Sequence, residues 1–151
     1  MSDTATPAAA PRAATAVRSP LYSALIGLAG LGVLLQGVWA GMFVREGREN
    51  VHSWVEVHAR GAEVTIVLAL VATVVALIRL RWNRPLVVGS VVFTVLLVVE
   101  SWLGGRVGGS PALETVHFPL AMALLGLAVW LPLRSRRLST GRQGLDRTRE
   151  G

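Results

Sequence analysis

The chain has 151 residues, 52% of them hydrophobic and 16% charged, with a formal net charge of +6 and no cysteine. Its apolar residues come in long blocks with the charges gathered between them, a pattern suited to lipid as the solvent. The missing thiols exclude disulfides, iron–sulfur clusters, thiolate metal sites and covalent CxxCH haem; arginines that flank apolar blocks, with no basic face interleaved with aromatics, argue against nucleic acid as a partner.

Residues 1–19 are mostly Ala, Pro, Thr and Ser with Arg12 and Arg18, and are expected to form a disordered tail. The first apolar stretch, 21–44, is longer than a signal-peptide core and long enough to cross a hydrocarbon layer of about 30 Å, so it reads as an uncleaved helix. A second span is expected over 58–80; it is clean from Val64 to Ile78 and reaches back through Glu63, Arg60 and His58. The third covers 85–103, with Pro85 in the first turn, where a missing N–H is harmless. The fourth covers 116–133, and residues 134–151 form a second polar tail, rich in arginine and expected to be disordered. The fold expected for 20–133 is therefore all-α, a four-helix transmembrane bundle running up-down-up-down.

All the basic residues are arginine, none lysine, which we read as the codon bias of a GC-rich bacterium. Their placement predicts orientation. Two lie in the first tail, three between the second and third spans (Arg79, Arg81, Arg84) and six in the last tail (Arg134, Arg136, Arg137, Arg142, Arg147, Arg149). The other ends carry Arg45, Arg48, Arg60 and Arg106, accompanied by Glu46, Glu49, Glu56 and Glu114. The positive-inside rule puts both tails in the cytoplasm and the protein in the bacterial inner membrane.

A weak repeat links the two halves. Leu34-Leu35-Gln36 followed by Gly41 matches Val98-Val99-Glu100 followed by Gly105, and each is followed by a short outer loop, a histidine and another span. Helices one–two and three–four thus read as two copies of one hairpin. Gly27, Gly30, Gly37 and Gly41 are expected to let backbones approach inside the bundle.

The three histidines, His52, His58 and His117, all fall at the outer ends. His58 opens helix two and His117 opens helix four; counted from the arginines at the opposite ends, their depths differ by about 6 Å, one helical turn. Helices two and four are diagonal in such a bundle, so two imidazoles at these positions can ligate one haem iron axially. The competing reading leaves each histidine at the headgroup level, hydrogen-bonded to water. His52 is expected in the outer loop, although Glu49-Asn50-Val51-His52 echoes Glu114-Thr115-Val116-His117 and makes it a rival ligand.

Gln36 and Glu100 lie inside spans. A carboxylate in hydrocarbon costs about 2.5–3.5 kcal/mol even on the lenient insertion scale, so Glu100 is expected to face the interior and to be protonated, hydrogen-bonded or paired, with Arg60, Arg106 or a histidine as the candidate partner. Its role is a proton relay, a hydrogen-bond partner for a cofactor, or polar glue between helices. Arg60 and Arg106 are candidate partners for haem propionates, or they simply snorkel. Glu63 is either interfacial or sets the tautomer of a neighbouring histidine. The five tryptophans, near span ends, read as an interfacial belt.

Val57-His58-Ala59-Arg60-Gly61-Ala62 and Val116-His117-Phe118-Pro119-Leu120-Ala121 resemble a family of small uncharacterised four-helix bacterial membrane proteins, with one histidine early in helix two and another early in helix four. More distantly, the pattern from Leu21 to Leu133 is similar to one four-helix half of haem A synthase. Gln36 with Gly41 matches the glutamine–glycine pattern ending the odd helices of that enzyme, and Glu100 departs from it. The resemblance implies a b-type haem held by His58 and His117, with no reaction attached. Two axial histidines favour electron transfer or haem handling over oxygen chemistry, so enzymatic activity is not expected. The partners are then the lipid bilayer and a redox or other membrane protein. The alternative is a non-enzymatic subunit or scaffold without cofactor; a carrier using Glu100 ranks third.

Overall fold

The computed structural model describes residues 19–45, 47–106 and 109–147. Four helices account for the described chain: α1 (Pro20–Arg45), α2 (Gly47–Arg79), α3 (Arg84–Gly104) and α4 (Pro111–Arg147). Each contains a segment long and apolar enough to cross a membrane: Pro20–Met42, His52–Arg79, Arg84–Gly104 and Ala112–Arg136. Even the shortest, at 21 residues, extends about 31 Å along its axis. The all-α four-helix bundle expected from the hydropathy pattern is the fold observed.

Helices α1 and α3 match the expected spans within one residue at each end. Helix α2 begins eleven residues before position 58, so His52 lies within a helix and not in a loop. The reason is periodicity: Trp54, His58 and Gly61, at helical spacing, share one partly buried stripe through a stretch whose charges lower its hydropathy. Helix α4 starts at Pro111, where the ring's fixed φ suits the first turn. It then runs on to Arg147 over residues expected to be unordered, a stretch containing the strong helix formers arginine, leucine and glutamine. The tail segments 1–18 and 148–151 lie outside the described residues.

Short connections make sequence neighbours antiparallel. α1 packs on α2, α2 on α3, α3 on α4, and α4 closes on α1, which leaves α2 and α4 on one diagonal. Asn83 caps α3 by accepting from the Leu86 N–H at 3.4 Å, with Pro85 in the first turn as expected.

The interior combines small and hydroxyl side chains with a few large apolar ones, while most of the large aliphatic side chains point outward. Ala29, Ala69, Ala72, Ala76 and Ala128 are buried around Tyr22, Ile26, Leu86, Phe93, Leu124 and Leu131. Val64, Val88 and Met122 are 60%, 60% and 76% exposed. In water that distribution is unfavourable; in a bilayer, where leucine gains nothing by leaving lipid, it is the expected one.

Only Gly30 of the four glycines singled out above meets another helix. A Cβ there would stand 3.0 Å from the Ala128 carbonyl oxygen of α4. Pro132 is the reason that carbonyl is available, because it lacks the N–H that would otherwise donate to it. Gly27, Gly37 and Gly41 face open space on the outer side of α1. The close approaches are made instead by Gly32 against Thr65, Gly61 against Trp39 and Gln36, Gly89 against Trp130 and Leu131, and Gly104 against His117.

Candidate functional site

Two polar layers lie inside the bundle. The first, towards the end that holds the α2–α3 connection, consists of hydroxyls. Tyr22 Oη and Ser90 Oγ are 2.9 Å apart, and Ser90 Oγ donates to the Leu86 carbonyl at 2.7 Å. Thr73 Oγ1 lies 2.8 Å from the Ala69 carbonyl, 3.1 Å from that of Ser90 and 2.9 Å from Thr94 Oγ1. These residues join α1, α2 and α3, and every hydroxyl has a partner, as buried polar groups require.

The second layer sits at the opposite end and contains Gln36, His58, Glu100 and His117. On the α1–α2 side, His58 Nδ1 lies 3.2 Å from the main-chain carbonyl oxygen of Gln36. The Gln36 side chain, with its amide nitrogen turned to α2, also reaches the helix rung at His58. Its nitrogen donates to the His58 carbonyl at 3.0 Å and to His58 Nδ1 at 2.9 Å, and its oxygen accepts from the Ala62 N–H at 2.9 Å. Gly61 makes this possible: any side chain there would run into the Trp39 ring and the Gln36 amide.

On the α3–α4 side, Glu100 Oε1 stands 3.1 Å from His117 Nδ1, with only 13% and 16% of the two side chains exposed. The ring N–H does not point along that line, so both carboxyl oxygens and Nδ1 are buried without an aligned hydrogen bond. Gly104, one turn beyond Glu100, leaves room for the ring; a Cβ there would be 3.2 Å from His117 Cε1.

The two halves therefore repeat in space as they do in sequence. Gln36 and Glu100, matched by the hairpin repeat, each meet Nδ1 of the histidine that follows on the next helix. The two rings come from the diagonal pair α2 and α4. Of the partners considered for Glu100, the histidine is the one found.

The remaining candidates are not drawn into this layer. Arg60 Nη1 pairs with Glu63 Oε2 at 3.2 Å, both well exposed, so Glu63 serves the arginine. Such exposed pairs contribute little stability. Arg106 folds back on its own helix end: it donates to the Trp102 carbonyl at 3.1 Å and lies 4.1 Å above the Trp102 ring. His52 is exposed, nearly two turns before His58 on α2. Among the described residues, no three His, Cys, Asp or Glu side chains gather as a metal cluster, so a metal held here would need further ligands from a cofactor.

Sequence reasoning missed Gly61, Gly104, Trp39 and the Gln36 carbonyl. Gly61 and Gly104 each lie within four residues of His58 or Glu100, and that spacing was a usable signal. No family model, curated protein or solved structure matches the chain, so the layer of Gln36, His58, Glu100 and His117 is interpreted from its geometry alone.

Proposed function

We propose that this is a bacterial inner-membrane protein with both tails in the cytoplasm, binding one b-type haem near its extracytoplasmic face through His58 and His117. The observation that carries the reading is the repeated pairing of Gln36 with His58 and Glu100 with His117, on diagonal helices at one end of the bundle. The donor set fits the group: His117, whose Nδ1 faces an acceptor, would keep its Nε2 lone pair for a metal, and His58 would supply the second imidazole. The orphaned carboxyl of Glu100 beside His117 fits as well, because metal-ligating histidines are commonly held by a carboxylate at the other ring nitrogen.

When bound, the haem supplies one-electron chemistry. The chain supplies the ligands, the groups that orient them, and an interior that excludes water. Arg60 and Arg106 belong to the same end and are the arginines proposed for the propionates, after leaving Glu63 and Trp102. The role is electron transfer or haem handling, with a redox or other membrane-protein partner.

The test is an absorption spectrum of the detergent-solubilised protein, oxidised and reduced, before and after haem addition. A Soret band is expected in the wild type and lost in His58→Ala and in His117→Ala. No band in the wild type after haem addition overturns the reading. One observation favours a second reading, a scaffold without cofactor: the Gln36 amide grips the His58–Ala62 rung as a tie between helices. A scaffold keeps its fold and its partners in both alanine variants and has no band.

A further inference from the structure

We infer that Glu100 is a positioning residue: it holds the His117 ring by Nδ1 so that Nε2 is the donor presented to the bundle interior. This deepens the haem reading and rests on it, because it gives Glu100 a role exerted through the histidine and not on the cofactor.

Three observations support it. The carboxyl is buried in the span, 3.1 Å from Nδ1, and neither of its oxygens has another hydrogen-bond donor. A buried acceptor in that state gains most from the one N–H within reach, and a small turn of the soft χ2 of His117 aligns the two. The ring lies against α3, where Gly104, one turn beyond Glu100, accommodates Cε1. Glu100 and Gly104 thus form one cradle for an imidazole arriving from α4. Finally, the sequence-matched Gln36 takes up the same position towards His58 through its main-chain carbonyl. In both halves a residue of the odd helix thus meets Nδ1 on the even one, and at His58 the Gln36 amide also donates to that nitrogen.

The tautomer follows from the donor and acceptor inventory. In its ionised form Glu100 has no proton to give, so a ring nitrogen facing it then carries the hydrogen. The second nitrogen of that ring then bears the lone pair. Without the carboxyl, His117 reverts to the mixture set by its surroundings.

The experiment is nitrogen NMR of full-length, haem-free protein labelled at histidine. Three imidazoles are present, and His52, exposed on α2, serves as the internal reference. In the wild type the His117 signal is expected at the Nδ1–H tautomer. In Glu100→Leu it is expected to move towards Nε2–H while the His58 signal stays in place. In Glu100→Gln, whose amide oxygen can also accept, the wild-type tautomer is expected to be retained. An unchanged His117 signal in Glu100→Leu overturns the inference, as does an Nε2–H signal in the wild type. Haem titration of the same three proteins supplies a second readout. Glu100→Leu is expected to lose about ten- to a hundredfold in affinity, and Glu100→Gln to recover most of it. Equal affinities in all three overturn the positioning role. A wild type that takes up no haem overturns the function proposed above and leaves the tautomer result standing. Circular dichroism and elution volume of each variant exclude misfolding as the cause of a shift.

Discussion

A single missing methyl group decides the geometry around His58. Gly61 lies three residues on from it, and a Cβ there overlaps Trp39 and the Gln36 amide. Gly61→Ala is therefore expected to lower stability by about 1–3 kcal/mol through overpacking, read as a drop in melting temperature in detergent. Gly27→Ala and Gly37→Ala add a methyl to open space. They are expected to leave stability unchanged or slightly raised, since alanine is the better helix former. A larger loss at Gly27 than at Gly61 would contradict the packing described. At this scale the sequence was legible where a residue is unusual for its surroundings. Gln36 and Glu100 stand out in hydrocarbon, and the structure puts both against histidines. Glycine is ordinary in a membrane helix, so only its place three residues from His58 set Gly61, which packs, apart from Gly41, which does not.

The helices are tied together differently at their two ends. Towards the α2–α3 connection, Thr73 joins two neighbours at once, the Ser90 carbonyl and Thr94, whereas Tyr22 makes one contact, to Ser90. Interhelical hydrogen bonds in membranes contribute about 0.6 kcal/mol each, up to about 1.7. Thr73→Val is expected to destabilise the bundle at the upper part of that range. Tyr22→Phe is expected to lose less, because Ser90 Oγ already donates to the Leu86 carbonyl. Thermal unfolding of the two variants and their combination checks the order; a greater loss for Tyr22→Phe contradicts it. Hydropathy located all four helices because length and lipid exposure decide where a span runs. It gave no hint of this hydroxyl layer, since serine and threonine pass as nearly neutral on such scales. Which of them face inward depends on helix rotation, which packing sets. Arg60 and Arg106 illustrate the same limit: their level was readable, but the groups they turn to, Glu63 and Trp102, depend on rotamers.

For the molecule as a whole, orientation is the property the arginine asymmetry predicts. The chain has no cysteine, so single cysteines report sidedness without background. Gly109→Cys, in the α3–α4 connection, is expected to react with an impermeant maleimide on intact cells. Asn83→Cys, in the α2–α3 connection, is expected to react only after permeabilisation. The opposite pattern would turn the protein over and put the histidine layer on the cytoplasmic side.

Between that layer and the hydroxyls the interior is apolar. Glu100 and Thr94 are six residues apart on α3, about 9 Å along the axis, with buried Leu97 between them and buried Leu124 on α4 beyond His117. Thr65, the polar residue at this depth on α2, spends its hydroxyl on the Gly61 carbonyl at 2.7 Å. The consequence is two polar tiers held a little under two helical turns apart, so a substitution in one is expected to leave the hydrogen bonds of the other in place.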